Sequence, residues 1–223
     1  KDLYLNDIEA INWATGEVIK EGYVPNVWVS AIATDGGAST VHGDNHVIRG
    51  LYVNDTETDK KHAFWTYSYS GVKMYDLGFD NAFVKAKGPA GIIFSNAKTG
   101  GTKTFVFEGC YVGENATVIS TASSAGTFYA WGAAANMTFK NCYSVASVSG
   151  VGNVGSFAPD VWGNTAMTFE NCYGIGAFRR NTNNTWIYRN SYCDVSAEGL
   201  VGVSSDEMKG LDALISDSKM PNL

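Results

Sequence analysis

The sequence predicts an all-β chain, a parallel solenoid of stacked coils with a short helix closing each end, and three observations carry that expectation. A repeat comes first: MTFKNCY at 137–143 returns as MTFENCY at 167–173, with VFEGCY at 106–111 and IYRNSY at 187–192 as echoes. Composition comes second, because 25 Gly against 4 Pro with 13% aromatics suits many short strands joined by glycine turns. The third is the spacing of apolar residues. Residues 27–203 contain no amphipathic stretch of helical length, only short runs of Thr, Val, Phe and Tyr with glycines at their ends.

The repeat has a countable grammar. Cys110, Cys142 and Cys172 are 32 and 30 residues apart, and Ser191 takes the same place 19 residues later, so the last turn is shorter. Phe107, Phe139, Phe169 and Tyr188 stand three positions before, and Tyr111, Tyr143, Tyr173 and Tyr192 one position after. A period near thirty with a β-prone core is the mark of a solenoid whose units complete one another's core. Stacked coils put like residues over like at the strand spacing of roughly 4.8 Å. Gly109, Asn141, Asn171 and Asn190 precede the cysteine position. They suit a bend, since Gly and Asn tolerate left-handed backbone and the Asn amide can bond along the stack. The cysteines then read as small buried fillers with free thiols. A CxxC or a His at ligand spacing is missing, and side-by-side parallel side chains fit disulfide geometry badly. Cys193 is out of register with the other three.

The two ends read differently. In NDIEAINWATG (6–16), Asn6 and Glu9 form a capping-box pattern and Gly16 a stop. In SSDEMKGLDALI (204–215), Ser204 and Glu207 repeat it, and Met208, Leu211 and Ile215 share one face. The expected organisation is a capping helix and lead-in segment over 1–26, the solenoid over 27–203, and a second capping helix over 204–223. Such helices blunt the open strand edges of a solenoid, or lead into neighbouring domains.

At 223 residues the chain can bury a substantial core as one large domain or two small ones. With 45% hydrophobic and 17% charged residues it is not of disordered composition. A net charge of −6 leaves no footprint for nucleic acid or anionic lipid. Every apolar run is shorter than a membrane span. The chain opens on Lys1 without a signal-like segment, which suggests a monomeric module of a longer, multidomain protein.

Four stretches resemble the GLUG-repeat proteins of secreted and surface-anchored bacterial polypeptides. HGDNHVIRGLYVND (42–55) is similar to their GNGHTIxGLYV opening, VKMYDLGFDNAFV (72–84) to their IKNLGLxNAxV strand, and FKNCYSVASVSG (139–150) to their NCYAxGxV copies. DEMKG (206–210) is similar to the tail that closes such arrays. The glycine-hydrophobic-glycine signature is literal only at Gly199–Gly202, and is reduced elsewhere to AGIIF (90–94), AGTFY (125–129) and VGSFA (154–158). The resemblance implies a right-handed parallel β-helix outside a bacterial cell. It implies no defined chemistry, because these arrays serve as adhesins, stalks and binding modules.

Parallel β-helices also include polysaccharide lyases and hydrolases, which need paired carboxylates or an acidic calcium cluster with a basic partner. Asp55, Glu57 and Asp59 fall in DTETDKK, which reads as a solvated turn. Glu108, Lys140, Glu170 and Arg189 share one repeat position, and alternating charge there is ordinary cross-strand pairing. His42 and His46 are four apart, but the intervening Gly-Asp-Asn breaks any helix that would aim both at zinc. Neither a metal nor a cofactor is therefore expected.

Three aromatic groups remain as candidate sites. Trp131 and Trp162 precede Gly in repeat-equivalent loops, which would place the indoles near one another. Tyr111, Tyr143 and Tyr173 each follow an inward cysteine, and Tyr192 follows Ser191 at the same position, so the column is expected to point outward. Trp65, Tyr67 and Tyr69 share one strand face, turned either to solvent or to the core. Aromatic rows suit the apolar faces of a sugar chain, and they equally stabilise a solenoid. The expected function is a non-catalytic extracellular or cell-surface binding module for a polysaccharide. A β-helical lyase or hydrolase, and a structural spacer, are the alternatives.

Overall fold

The computed structural model describes residues 1–34, 39–68, 70–97, 103–133, 135–162, 166–179, 185–195 and 200–202. The chain winds as a parallel β-solenoid, and the described residues include no helix. One wall is the stack of Ser39–Asp55, Gly71–Ala86, Lys103–Glu108, Ala135–Lys140, Ala166–Glu170 and Thr185–Arg189, all paired in parallel. Two-residue strands Tyr111–Val112, Tyr143–Ser144, Tyr173–Gly174, Tyr192–Cys193 and Val201–Gly202 form the wall after the corner. Ala116–Ser120 and Ser147–Gly150 continue the circuit, followed by the short strands Ala90–Gly91, Ala125–Gly126 and Val154–Gly155. The last wall runs Ala31–Thr34, Trp65–Ser68, Phe94–Ala97, Tyr129–Ala133, Asp160–Trp162. AGIIF, AGTFY and VGSFA take the same place in successive coils, since Gly91, Gly126 and Gly155 are register partners on one wall.

The register explains why the repeat exists. Val41, Met74, Phe107, Phe139, Phe169 and Tyr188 lie one above another. The rings of Phe107 and Phe139 are 5.1 Å apart at 7°, and those of Phe139 and Phe169 are 4.8 Å apart at 5°. A second stack faces this one: Phe128 lies 4.9 Å from Phe157, and Phe157 lies 4.5 Å from Phe178. Across the core Phe128 meets Phe139, and Phe157 meets Phe169, edge to face at 5.4 and 5.5 Å. Both stacks are buried completely. Burying one such side chain contributes about 1.5–3 kcal/mol, with roughly 0.5–1.5 kcal/mol more from each well-placed ring pair.

At the corner, Asn141, Asn171 and Asn190 adopt φ of 52°, 52° and 46°, and Gly109 a φ of 64°. Their amides form a ladder: Asn171 Nδ2 donates to Asn141 Oδ1 at 3.0 Å, and Asn190 Nδ2 to Asn171 Oδ1 at 3.2 Å. The left-handed residue turns the wall while the next residue enters the core. Cys110, Cys142 and Cys172 are buried there as free thiols, as is Cys193. Each of the three donates to the carbonyl two residues back, Glu108, Lys140 or Glu170. The charge column pairs as expected from the repeat: Glu108, Lys140, Glu170 and Arg189 are register partners, and Lys140 Nζ lies 3.8 Å from Glu108.

The N-terminal segment departs from expectation. Residues 6–16 form turns and an antiparallel pairing of Ile11–Asn12 with Glu17–Val18, not a capping helix. Asn6 is committed elsewhere. Its Nδ2 donates to the carbonyls of Asn26 and Gly50, while its Oδ1 accepts from Asn26 N and the Tyr23 hydroxyl. Gly16, at φ 75°, closes the hairpin against the Phe83 ring. Trp13 and Ile11 cover Tyr52 and Phe83, which stack outside the coil wall. The segment is therefore a lobe packed against the wall, and Leu3–Tyr4 already pairs in parallel with Ile48–Arg49. The expected C-terminal helix over 204–215 lies outside the described residues.

Two expectations test this account. Phe139→Ala lowers stability by about 3–5 kcal/mol in urea unfolding, because it removes a ring packed on three sides. Asn171→Ala costs roughly 1–2 kcal/mol more than Asn171→Gly, since both lose the amide ladder but only alanine resists the left-handed backbone.

Candidate functional site

The corner geometry places the tyrosine row on the outside. Because Cys110, Cys142 and Cys172 point inward, strand alternation turns the following residue out. Tyr111, Tyr143 and Tyr173 are register partners, half-buried or exposed, with Tyr143 at 41%. The rings of Tyr111 and Tyr143 stack at 4.8 Å and 9°. Tyr192 completes the column by register but is buried. The Tyr111 ring lies over Gly78 of the coil below, in space that any side chain there would fill.

This stacking changes what the row offers. The facing sides of Tyr111 and Tyr143 cover one another, so solvent meets ring edges and hydroxyls spaced by one coil. The pair is not a set of separate flat platforms. Burial pushes the Tyr111 hydroxyl above its ordinary value of 10. Burial, followed by the neighbouring Tyr111 and Asp80, does the same for Tyr143. Both therefore stay neutral donors and acceptors at physiological pH.

A charged cluster adjoins the row on the coils below it. Arg49 Nη1 donates to Asp80 Oδ2 at 2.7 Å and to Asn81 Oδ1 at 3.0 Å, and Arg49 Nε lies 3.5 Å from Asp2 Oδ2. Asp80 Oδ1 also accepts from Asn115 N at 3.2 Å. Asp2 is held below 3.8, first by the hydrogen bond from Val47 N and then by Arg49 and His46. Sequence reasoning missed Arg49 and Asp80 as a pair, because they occupy coils that do not share the FKNCY grammar.

The tryptophan corner forms in altered register. Trp131 pairs with Asp160, and Trp162 with Ala133, so the two tryptophans are diagonal and not direct partners. Trp131 is half-buried, and Lys61 Nζ sits 4.5 Å from its ring centroid. That cation already covers one face, and burial lowers the Lys61 pKa. Trp65 faces the core side: its ring stacks on Phe94 at 5.2 Å and meets Phe64 edge-on at 4.7 Å. Tyr67 holds the register position between Ile32 and Asn96. Tyr69 lies outside the described residues.

The histidines separate as the glycine-broken spacing implies. His42 stacks on Tyr75 at 5.3 Å, while His46 Nε2 bonds the Lys1 amino group at 2.8 Å. Among the described residues no group of three or more His, Cys, Asp or Glu converges for a metal. Also among them, no helix is long and apolar enough to cross a membrane. Compared with known protein families, curated proteins and solved structures, the chain shows no match. Its face must be interpreted from its own chemistry.

The DTETDKK loop is more ordered than a solvated turn. The Asp55 carboxylate accepts from Thr58 Oγ1 at 2.5 Å, Thr58 N at 3.0 Å, Glu57 N at 3.2 Å and His62 Nε2 at 3.0 Å. These bonds, the Thr58 hydroxyl first, hold its pKa far below 3.8. A depressed carboxyl stabilises the fold above its unfolded value and loses that contribution as pH falls through the folded one. Melting curves of wild type and Asp55→Asn will therefore differ most above about pH 5, and the gap will narrow as pH falls below 3.8.

Proposed function

We propose that this chain is a non-catalytic binding module that recognises a polysaccharide along the outward tyrosine row, as part of a larger bacterial surface or secreted protein. The observation that carries the reading is the stack of half-buried Tyr111 on exposed Tyr143, continued in register by half-buried Tyr173 and flanked by Arg49 and Asp80. Repeated hydroxyls along a straight wall suit a polymer whose own hydroxyls repeat. The neighbouring carboxylate and guanidinium add directional acceptors and donors. A right-handed winding fits this reading, because parallel crossovers are right-handed in about 98% of cases. Extracellular placement and kinship with the GLUG-repeat arrays rest on the sequence resemblance at 42–55, 72–84 and 139–150. The Trp131 and Trp162 corner is a secondary contact in this reading, since Lys61 occupies one Trp131 face.

Glycan-array binding followed by titration tests it. Tyr143→Ser, an exposed substitution that spares the core, is expected to weaken binding roughly ten-fold, about 1.4 kcal/mol. The Trp131→Ala/Trp162→Ala double variant is expected to weaken it less. No binding to any polysaccharide, or equal affinity for wild type and Tyr143→Ser, removes the tyrosine row as a site. Release of reducing ends or unsaturated products would instead support a β-helical lyase or hydrolase, and silence in both assays a spacer.

A further inference from the structure

The amide ladder at the corner breaks off at Gly109, and the break lies beside the stacked tyrosines. Asp76, Gly109, Asn141, Asn171 and Asn190 hold the same corner in successive coils, all left-handed, with φ of 51°, 64°, 52°, 52° and 46°. Asn190 donates to Asn171 and Asn171 to Asn141, so each of these amides turns its Nδ2 toward the coil below. Asn141 has only Gly109 beneath it, which brings no side chain to accept. Its Nδ2 accordingly forms no hydrogen bond among the described residues. Asp76 reaches up into the gap: its Oδ1 overlaps the place where a Cβ of Gly109 would stand. This carboxylate is exposed and has neither a hydrogen-bond nor an ion-pair partner among the described residues. An amide column can run with its donors up or down, and a carboxylate beneath it favours donors down. A donor and an acceptor thus face one another across Gly109, farther apart than a hydrogen bond.

One atom can join them. A hydroxyl oxygen donates and accepts at once, so it can accept from Asn141 Nδ2 while donating to the Asp76 carboxylate. The second of these is a charge-assisted bond, stronger than a neutral one. Tyr111 follows Gly109 by two residues and stacks on Tyr143, which places the break at the edge of the tyrosine row. We propose that Asp76 and Asn141, facing one another across Gly109, form a hydroxyl-binding subsite that selects a neutral polysaccharide. The inference rests on the reading of the tyrosine row as a polysaccharide site. An anionic sugar would bring its charge against Asp76, and the nearby Arg49 guanidinium is already shared between Asp80 and Asp2. Gly109 is then the position that keeps the subsite open. An asparagine there would continue the ladder and occupy the gap with its own amide.

Affinity electrophoresis of the full chain tests it, with dextran, xylan and galactomannan as neutral probes and polygalacturonate as the acidic one. At least one neutral probe is expected to retard the wild type, and polygalacturonate is not. Gly109→Asn is expected to weaken that binding about ten-fold, the loss of one charge-assisted hydrogen bond. Its urea midpoint should hold or rise, because asparagine already takes this backbone in the coils above and extends the ladder. Asp76→Gly keeps the left-handed corner, removes the acceptor and is expected to weaken binding similarly, so the test survives a poorly folded Gly109→Asn. Wild-type affinity in Asp76→Gly or in folded Gly109→Asn, while Tyr143→Ser still weakens binding, overturns the subsite and leaves the tyrosine row standing. Tighter binding of polygalacturonate than of the neutral probes overturns the selection of a neutral polymer. Silence toward all four probes removes the row and the subsite together.

Discussion

Stacking of identical aromatic rings at the spacing of hydrogen-bonded strands is the interaction on which the rest of the molecule depends. Parallel pairing sets neighbouring coils about 4.7–4.9 Å apart, which is also a favourable distance for offset rings. A Phe in one coil is therefore best served by a Phe directly above it. The Phe107–Phe139–Phe169 stack satisfies both constraints at once. The facing Phe128–Phe157–Phe178 stack meets it largely edge-on, so the negative faces of one column receive the positive edges of the other. Any slip in register would break ring contacts and strand hydrogen bonds together, which holds the winding to one pairing.

The corner converts that core into an outer face. A left-handed residue at Gly109, Asn141, Asn171 and Asn190 reverses the chain's course within one step. It drops a small thiol or hydroxyl inward and, at the three cysteine corners, swings the following tyrosine toward the outside, whereas Tyr192 after Ser191 is buried. Asparagine serves better than glycine where the coils repeat, because its amide also bonds the coil above. Backbone conformation, core filling and exposure of Tyr111, Tyr143 and Tyr173 are thus one geometric event repeated along the axis. The same regularity limits the chemistry of the face. Tyrosines stacked this closely shield one another, and what they present in series is hydroxyls and ring edges. Flat sugar-stacking surfaces require more isolated aromatics.

The ends follow other rules. The first coils carry Val41 and Met74 in the column that Phe107 continues, and a lobe whose Trp13 and Ile11 pack with Tyr52 and Phe83 lies against them. Asn6 ties that lobe to the wall through Tyr23, Asn26 and Gly50. Toward the C-terminus the coils shorten, and the omitted strand above Ser147–Gly150 leaves apolar surface uncovered among the described residues. A solenoid buries its axis well, yet each change in coil length leaves an edge needing its own cover.

The spacing of FKNCY and its echoes was enough to determine the parallel stacking, the Phe and Cys columns, the Asn corner, the alternating charge column and the outward tyrosines. Each follows from one residue type recurring at one repeat position, so local chemistry and stack geometry carry the same information. Only the tertiary structure decided the rest. Asn6 has the pattern of a helix cap, but its four hydrogen bonds go to three distant residues, Tyr23, Asn26 and Gly50, that no local rule contains. Arg49 and Asp80 meet because of coil lengths that carry no common motif. Trp131 and Trp162 look equivalent in sequence, yet the register pairs Trp131 with Asp160, and Lys61 reaches the Trp131 ring from another coil. Trp65 shares its strand pattern with Tyr67, and whether that face turned to solvent or to the core depended on Phe64 and Phe94 being there to receive it. Periodicity specifies which residues lie above one another; which way a wall faces, and what meets across the axis, depends on contacts between segments far apart in the chain.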